Sequence, residues 1–264
     1  MTRCRSPWTI ALSAGVVVLL GAASLLVAGP PAMASATLQA AKDRDVAIAD
    51  SLADMLRAAR TVISDNQALI NNPALGDKGL DGKKVLAETL AIFRKRTGID
   101  PAKLDPDSRQ GRLLHDMMDS IVEVTDANQS TINMKGMAFK GFIPAVFARL
   151  VDEAFQRRAG AEASIKVTAP VDLVRNRKAL PDAFERHIID DKLLARSWPR
   201  GKPYTAMVMV DGKPEFRMLM PEYYDASCLA CHGGPKGSLD ITGYPREGRK
   251  LGDLGGVVSI TLAH

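Results

Sequence analysis

Five consecutive residues, Cys228-Leu229-Ala230-Cys231-His232, constrain this chain more than any other feature of it. Two cysteines two residues apart share one turn, and a histidine follows the second at once. Thiols at that spacing form thioethers to the two vinyl groups of one haem, and the adjoining imidazole reaches its iron. Three other readings use the same residues: a thioredoxin-like C-x-x-C, half of a zinc site, and a bridge between the two cysteines. A thioredoxin-like pair wants a strand before the first cysteine and a helix after it, whereas Gly233-Gly234-Pro235 stops a helix at once. Zinc needs ligands beyond Cys228, Cys231 and His232, and a chain with three cysteines holds no second pair to supply them.

The third cysteine, Cys4, sits in a different context. Thr2-Arg3-Cys4-Arg5 is basic, Ile10 to Val27 is apolar, and Ala32-Met33-Ala34 and Ala34-Ser35-Ala36 are both A-x-A sites. That order is the signature of a secretory signal peptide over residues 1–36, cut near Ala34 or Ala36. The apolar stretch is long for a leader, and the alternative is that it stays as a membrane anchor. Cys4 follows no lipobox. Removing the leader leaves Cys228 and Cys231 alone, which excludes a thiolate as the second axial ligand of an iron. Export places the chain in the periplasm, where haem c is attached, so the leader and the C-x-x-C-H run support each other. The formal charge of +5 falls to +3 once Arg3 and Arg5 leave, and the remaining charges alternate in sign. Without a basic run or an aromatic-interleaved basic patch, no nucleic-acid role is expected.

Apolar residues recur at helical spacing from Thr37 to about Ile70 (Val46, Ala49, Leu52, Leu56, Ala59, Ile63), which predicts a long amphipathic helix ended by Asn71-Asn72-Pro73. Further helices are expected over Lys84 to Arg96, from Asp107 or Ser108 to Ala127, and after Ile143 as far as Gly160. A polar stretch, Gln129 to Lys140, separates the last two. The period then shortens. Ile165-Lys166-Val167 reads as a strand and Asp182 to Leu194 as a short helix. Tyr204 to Val210 and Glu215 to Met220 form a hairpin about Asp211-Gly212, and Val257 to Leu262 is a last buried strand. The fold class is α+β: a helical region over 37–128, then an antiparallel sheet over 129–264 whose haem-binding loop lies near the C-terminus.

Several segments resemble a bacterial extracytoplasmic c-type haem domain family of unassigned function, found alone or as the sensor ahead of kinases and chemoreceptors. They are Phe139 to Phe147, Val174-Arg175-Asn176 with Leu180 to Glu185, the Cys228 to Gly234 run, and Gly252-Asp253-Leu254-Gly255-Gly256 before the last strand. Together they span about Gln129 to Leu262, and Ile70 to Gly98 is similar to longer members. The resemblance implies a PAS-like sheet. One departure stands out: the family's usual Arg-Asn-Pro reads Arg175-Asn176-Arg177 here.

His232 is the expected proximal ligand of one covalent haem c. For the opposite side of the iron the candidates are Met134 and Met137, on a glycine-broken stretch, and His115, on the third helix; an open position is the alternative. His187 and His264 are weaker. Arg175 and Arg177 suit the anionic propionates, because a guanidinium fork matches a carboxylate; a solvated basic loop is the plainer reading. Tyr223, Tyr224 and Tyr244 flank the site, either against the porphyrin edge or as ordinary surface tyrosines. The function classes left are an exported cytochrome in redox sensing or electron transfer, with a periplasmic redox or signalling partner, and a haem-based gas-ligand sensor. A haem enzyme is weaker still, since no distal acid–base pair is evident at close spacing.

Overall fold

Alanine and leucine, both strong helix formers, dominate the stretch before Asp65, and the computed structural model, which describes residues 31–264 and side chains from Gln39 onward, makes it one long helix, α1 (Pro31–Asp65). The leader expected over residues 1–36 lies almost wholly outside the described residues. A short α2 (Gln67–Ile70) follows rather than the unbroken helix the periodicity predicts. Asn66 causes the break: its side-chain amide donates to the Val62 carbonyl (2.9 Å) and its backbone leaves helical geometry. After a glycine-rich loop come α3 (Gly82–Thr97), whose N-cap Asp81 accepts from Lys84 N, and α4 (Arg109–Ala127), capped by Ser108. The stretch read as polar and irregular holds one helical turn, α5 (Gln129–Ile132). Pro144 then opens α6 (Pro144–Ala159), where its missing N–H costs nothing.

Four strands follow: β1 (Ala163–Thr168), β2 (Tyr204–Val210), β3 (Lys213–Tyr223) and β4 (Leu254–Ala263). They form one open antiparallel sheet in the order β1-β4-β3-β2. The hairpin expected at Asp211-Gly212 is there, with both residues at positive φ. Between β1 and β2 lies α7 (Ala183–Ile188), opened by a capping box between Asp182 and Glu185 and running into a π turn, Ile189–Leu193. The sequence pattern carries one helix through both, because a π turn keeps the same apolar residues on the buried side.

Alternation sorts the sheet residues onto two faces. Ile165, Ile260 and Met218 stand in register across β1, β4 and β3, as do Val167, Val258 and Met220, and they share one core with α1, α3, α4 and α6. Residues 39–264 form a single unit, and the expected boundary near Gln129 coincides with no gap in this core. The opposite face carries Leu219 and Val257 under Ile188, Ile189 and Leu193. There Arg217 donates to Asp182 (2.7 Å), which ties the sheet to the cap of α7. Among the described residues no helix is long and apolar enough to cross a membrane.

Asp152 is the unusual member of the main core. It is buried on α6, accepts from Val167 N on the outer edge of β1 (3.2 Å), and leaves Oδ1 without a partner. Burial pushes its carboxyl up to about 8 despite that bond and nearby Arg60. A carboxyl raised on folding binds more protons in the native state, so its contribution to stability falls as pH rises from about 4, its unfolded value, to about 8. Asp152→Asn should therefore stabilise the protein by a margin that grows between pH 5 and pH 8, read from urea unfolding at each pH. A margin independent of pH would show that Asp152 is ionised in the native state.

Candidate functional site

β3 and β4 are neighbours in the sheet, and the segment joining them, Asp225 to Leu251, is the C-x-x-C-H loop. Its neck is closed by the ladder itself: Tyr224 N donates to Asp253 O (3.0 Å) and Gly252 N to Tyr224 O (2.8 Å). From the helical side, Arg57 and Arg60 of α1 both bond the carboxylate of Glu222, and Arg57 also reaches the Pro221 carbonyl (3.1 Å). The end of β3 is thus held just before the loop leaves it.

Inside the loop, Asp225 Oδ1 accepts from Ser227 N (2.8 Å) and Cys228 N (3.1 Å), an Asx turn that starts the one-turn helix α8 (Leu229–His232). Cys228 and Cys231 are both free, on the same turn, and half-buried. Gly233 ends α8; a Cβ there would meet the Leu229 carbonyl at 2.5 Å. The chain then folds back through a turn built on Asp240, whose Oδ1 accepts from Thr242 N, Thr242 Oγ1 and Tyr244 N. On its return it pairs with the histidine, as Arg249 N donates to His232 O (2.8 Å). That pairing brings Glu247 beside the imidazole.

Glu247 Oε2 lies 2.9 Å from His232 Nδ1. An ionised carboxylate only accepts, so Nδ1–H donates this bond and Nε2 is the ring nitrogen left outside it. The ring also stacks on buried Tyr224, with centroids 4.9 Å apart. Burial works against charge on Glu247, but the bonds from Arg175 and His232 outweigh it and hold this carboxyl below its usual range. Burial pushes the Tyr224 hydroxyl up to about 12. It also pushes both thiols above the ordinary cysteine value, with Asp225 near Cys228 and Asp240 near Cys231 adding to the effect. Redox-active C-x-x-C pairs lower a thiol instead, which speaks against the thioredoxin-like reading. Among the described residues no three His, Cys, Asp or Glu side chains converge as a metal site.

Arg175 stands at the centre of the loop. Its guanidinium donates to Glu247 Oε1 (2.8 Å) and Oε2 (3.0 Å), to Asp240 Oδ2 (2.6 Å) and to the Cys231 carbonyl (3.0 Å). The sequence reading gave this fork a carboxylate partner, and the carboxylates it holds here are the protein's own. Arg177 is exposed at the start of a 3-10 turn. Tyr244 donates its hydroxyl to the Arg175 carbonyl, and Tyr223 accepts from Gly201 N beneath Arg200.

The other candidate iron ligands have partners elsewhere. His115 is exposed on α4 with Nδ1 on the Gly111 carbonyl. Met134 and Met137 are exposed between α5 and α6, in a segment tied to the loop after α2 by Gly136 N on Pro73 O. His187 pairs with Asp191 and His264 with Asp45. None of these bonds links them to the C-x-x-C-H turn. Sequence reasoning passed over Glu247, Asp240 and Asp225; the available signal was acidic residues on both sides of the C-x-x-C-H run, Asp225 just before it and Asp240 and Glu247 in the glycine-rich segment after it.

A family model described as Tll0287-like matches residues 38–263. The chain belongs to that family. It is a family of c-type haem domains, in agreement with the resemblance seen in the sequence. Comparisons with curated proteins and with solved structures found no match.

The residues present fit a covalent haem. Two free thiols share a turn with a histidine whose Nδ1 is held by Glu247, leaving Nε2 outside that bond. A cleft of about 400 Å³ lined by Arg175, Lys236, Arg246, Glu247 and Arg249 lies on the Nδ1 side of the histidine and includes neither cysteine. Tyr224 Oη, Arg246 Nε and Arg249 Nε are buried in this loop without partners, as suits a group that brings its own acceptors.

The Gly252-Asp253-Leu254-Gly255-Gly256 stretch has a steric reason at one position. A Cβ on Gly255 would lie 2.7 Å from Tyr224 Cε1, so the ring under His232 needs a glycine there. Gly255→Ala should displace Tyr224, cost about 1–3 kcal/mol in urea unfolding, and alter the near-ultraviolet circular dichroism. A variant unchanged in both would show that Tyr224 does not rest on this backbone.

Proposed function

We propose that this chain is an exported c-type cytochrome that carries one haem through Cys228 and Cys231, with His232 as proximal ligand, and serves redox sensing or electron transfer in the periplasm. The observation that carries the reading is the His232–Glu247 hydrogen bond, because it frees Nε2 for iron on the same turn that holds both thiols. When bound, haem supplies one-electron exchange between ferric and ferrous iron. The protein's share is to orient the imidazole, fix its proton on Nδ1 and hold the loop to the sheet. Leu239, Ile241 and Leu251 are exposed on the same loop and would give a partner apolar surface to meet there.

A second reading has its own support. His115, Met134 and Met137 keep to the helical layer, which favours an iron whose sixth position takes an external ligand, as in a gas sensor. Absorption spectra of the protein made in cells that mature haem c, oxidised, reduced and then exposed to carbon monoxide, test both. A low-spin iron indifferent to carbon monoxide fits electron transfer or redox sensing, and ready binding fits ligand sensing. The double substitution Cys228→Ala with Cys231→Ala should abolish haem that survives denaturation and acid extraction. Haem retained covalently by that variant would overturn the assignment.

A further inference from the structure

We propose that Glu247 is a positioning residue that strengthens His232 as a donor to iron and so lowers the reduction potential of the site. The inference rests on the haem reading above and deepens it. A histidine ligand can give its second N–H to a neutral acceptor, such as a carbonyl or water, or to an anion. Here the acceptor is a carboxylate at 2.9 Å with its side chain mostly buried. An anionic acceptor draws the Nδ1 proton outward and leaves more electron density on Nε2. A richer donor stabilises ferric iron more than ferrous iron, and the potential falls.

The surroundings hold the Glu247 carboxylate in place. Arg175 grips both of its oxygens (2.8 and 3.0 Å), which sets the plane of the carboxylate and leaves Oε2 facing the ring. That cation does not cancel the effect, because Arg175 also serves Asp240, which is fully buried. One guanidinium shared by two carboxylates leaves the cluster with a net negative charge beside the imidazole. Arg246, Arg249 and Lys236 line the adjoining cleft and pull the potential the other way, but through space and not through the ring. A substitution at Glu247 alone leaves their field unchanged. The backbone bond from Arg249 N to His232 O fixes the distance, so the pair is built into the loop and not an incidental contact between exposed chains.

A purely structural Glu247 would only staple the returning arm of the loop to α8. Glu247→Gln separates the two roles, since glutamine keeps an acceptor for Nδ1–H and loses the charge. The experiment measures the midpoint potential of the haem-loaded wild type and of E247Q by spectroelectrochemistry. The expected result is a rise in E247Q, about 59 mV for each tenfold loss of ferric over ferrous preference. Equal potentials in two haem-loaded proteins would overturn this inference and leave the haem reading standing. If E247Q fails to mature, the ferric electron paramagnetic resonance spectrum of the wild type decides. A ligand field on the imidazolate side of neutral-imidazole haem c peptides supports the proposal, and one on the neutral side overturns it. A wild-type chain without covalent haem removes the haem reading and this proposal together.

Discussion

The guanidinium of Arg175 is the contact on which the loop depends. Asp225 to Leu251 is rich in glycine, and a segment so free in the unfolded chain pays heavily in entropy to adopt one shape. Arg175 comes from outside that segment, before the hairpin, and bonds the returning arm at Glu247, the turn at Asp240 and the cysteine turn at the Cys231 carbonyl. Charge-assisted bonds of this kind are each worth about 1.5–3 kcal/mol net. Removing one partner of such a buried set costs about 3–5 kcal/mol, because the others are left charged and unpaired. Asp240, held far below the usual carboxylate range although burial opposes it, would be the most exposed to that loss.

The sheet supplies what a single arginine cannot. β3 and β4 are adjacent antiparallel strands, so a long insertion between them begins and ends at points that the ladder already holds together. Lengthening a loop whose ends are fixed costs little. The strand ends are braced in turn by Glu222, which Arg57 and Arg60 of α1 grasp from the helical layer. Helix, sheet and loop are thereby joined through charged contacts at one end of the sheet. The other face of the sheet, under α7, joins an apolar cluster to its own charged contact, Arg217 with Asp182 and Glu185.

Much of this is legible in the sequence, and the limits have physical causes. Period sorts helices from strands because one apolar face must be buried, and Asp-Gly marks the hairpin because both residues accept positive φ. The C-x-x-C-H spacing reports chemistry that needs only one turn of chain. Breaks that leave the apolar face intact do not show: Asn66 interrupts α1 through a local side-chain bond, and the π turn after α7 keeps Ile188, Ile189 and Leu193 buried. The partners of Arg175 do not show either. Seventy-two residues separate it from Glu247, and no periodicity selects one acidic residue of a loop over another. The arginine was readable as a carboxylate binder, but not whose carboxylate it binds.

The site is therefore prepared on one side only. His232 is oriented by the protein's own contacts, with Nδ1–H on Glu247 and the ring face against Tyr224. Cys228 and Cys231 are held in the opposite condition, as thiols that burial makes reluctant to ionise. On the haem reading proposed above, His232 would be oriented by the loop itself, and the two sulfurs on the same turn would meet the vinyl groups. The ring and the thiols of one helical turn each have their own carboxylates: Glu247 accepts from the imidazole, while Asp225 lies beside Cys228 and Asp240 beside Cys231.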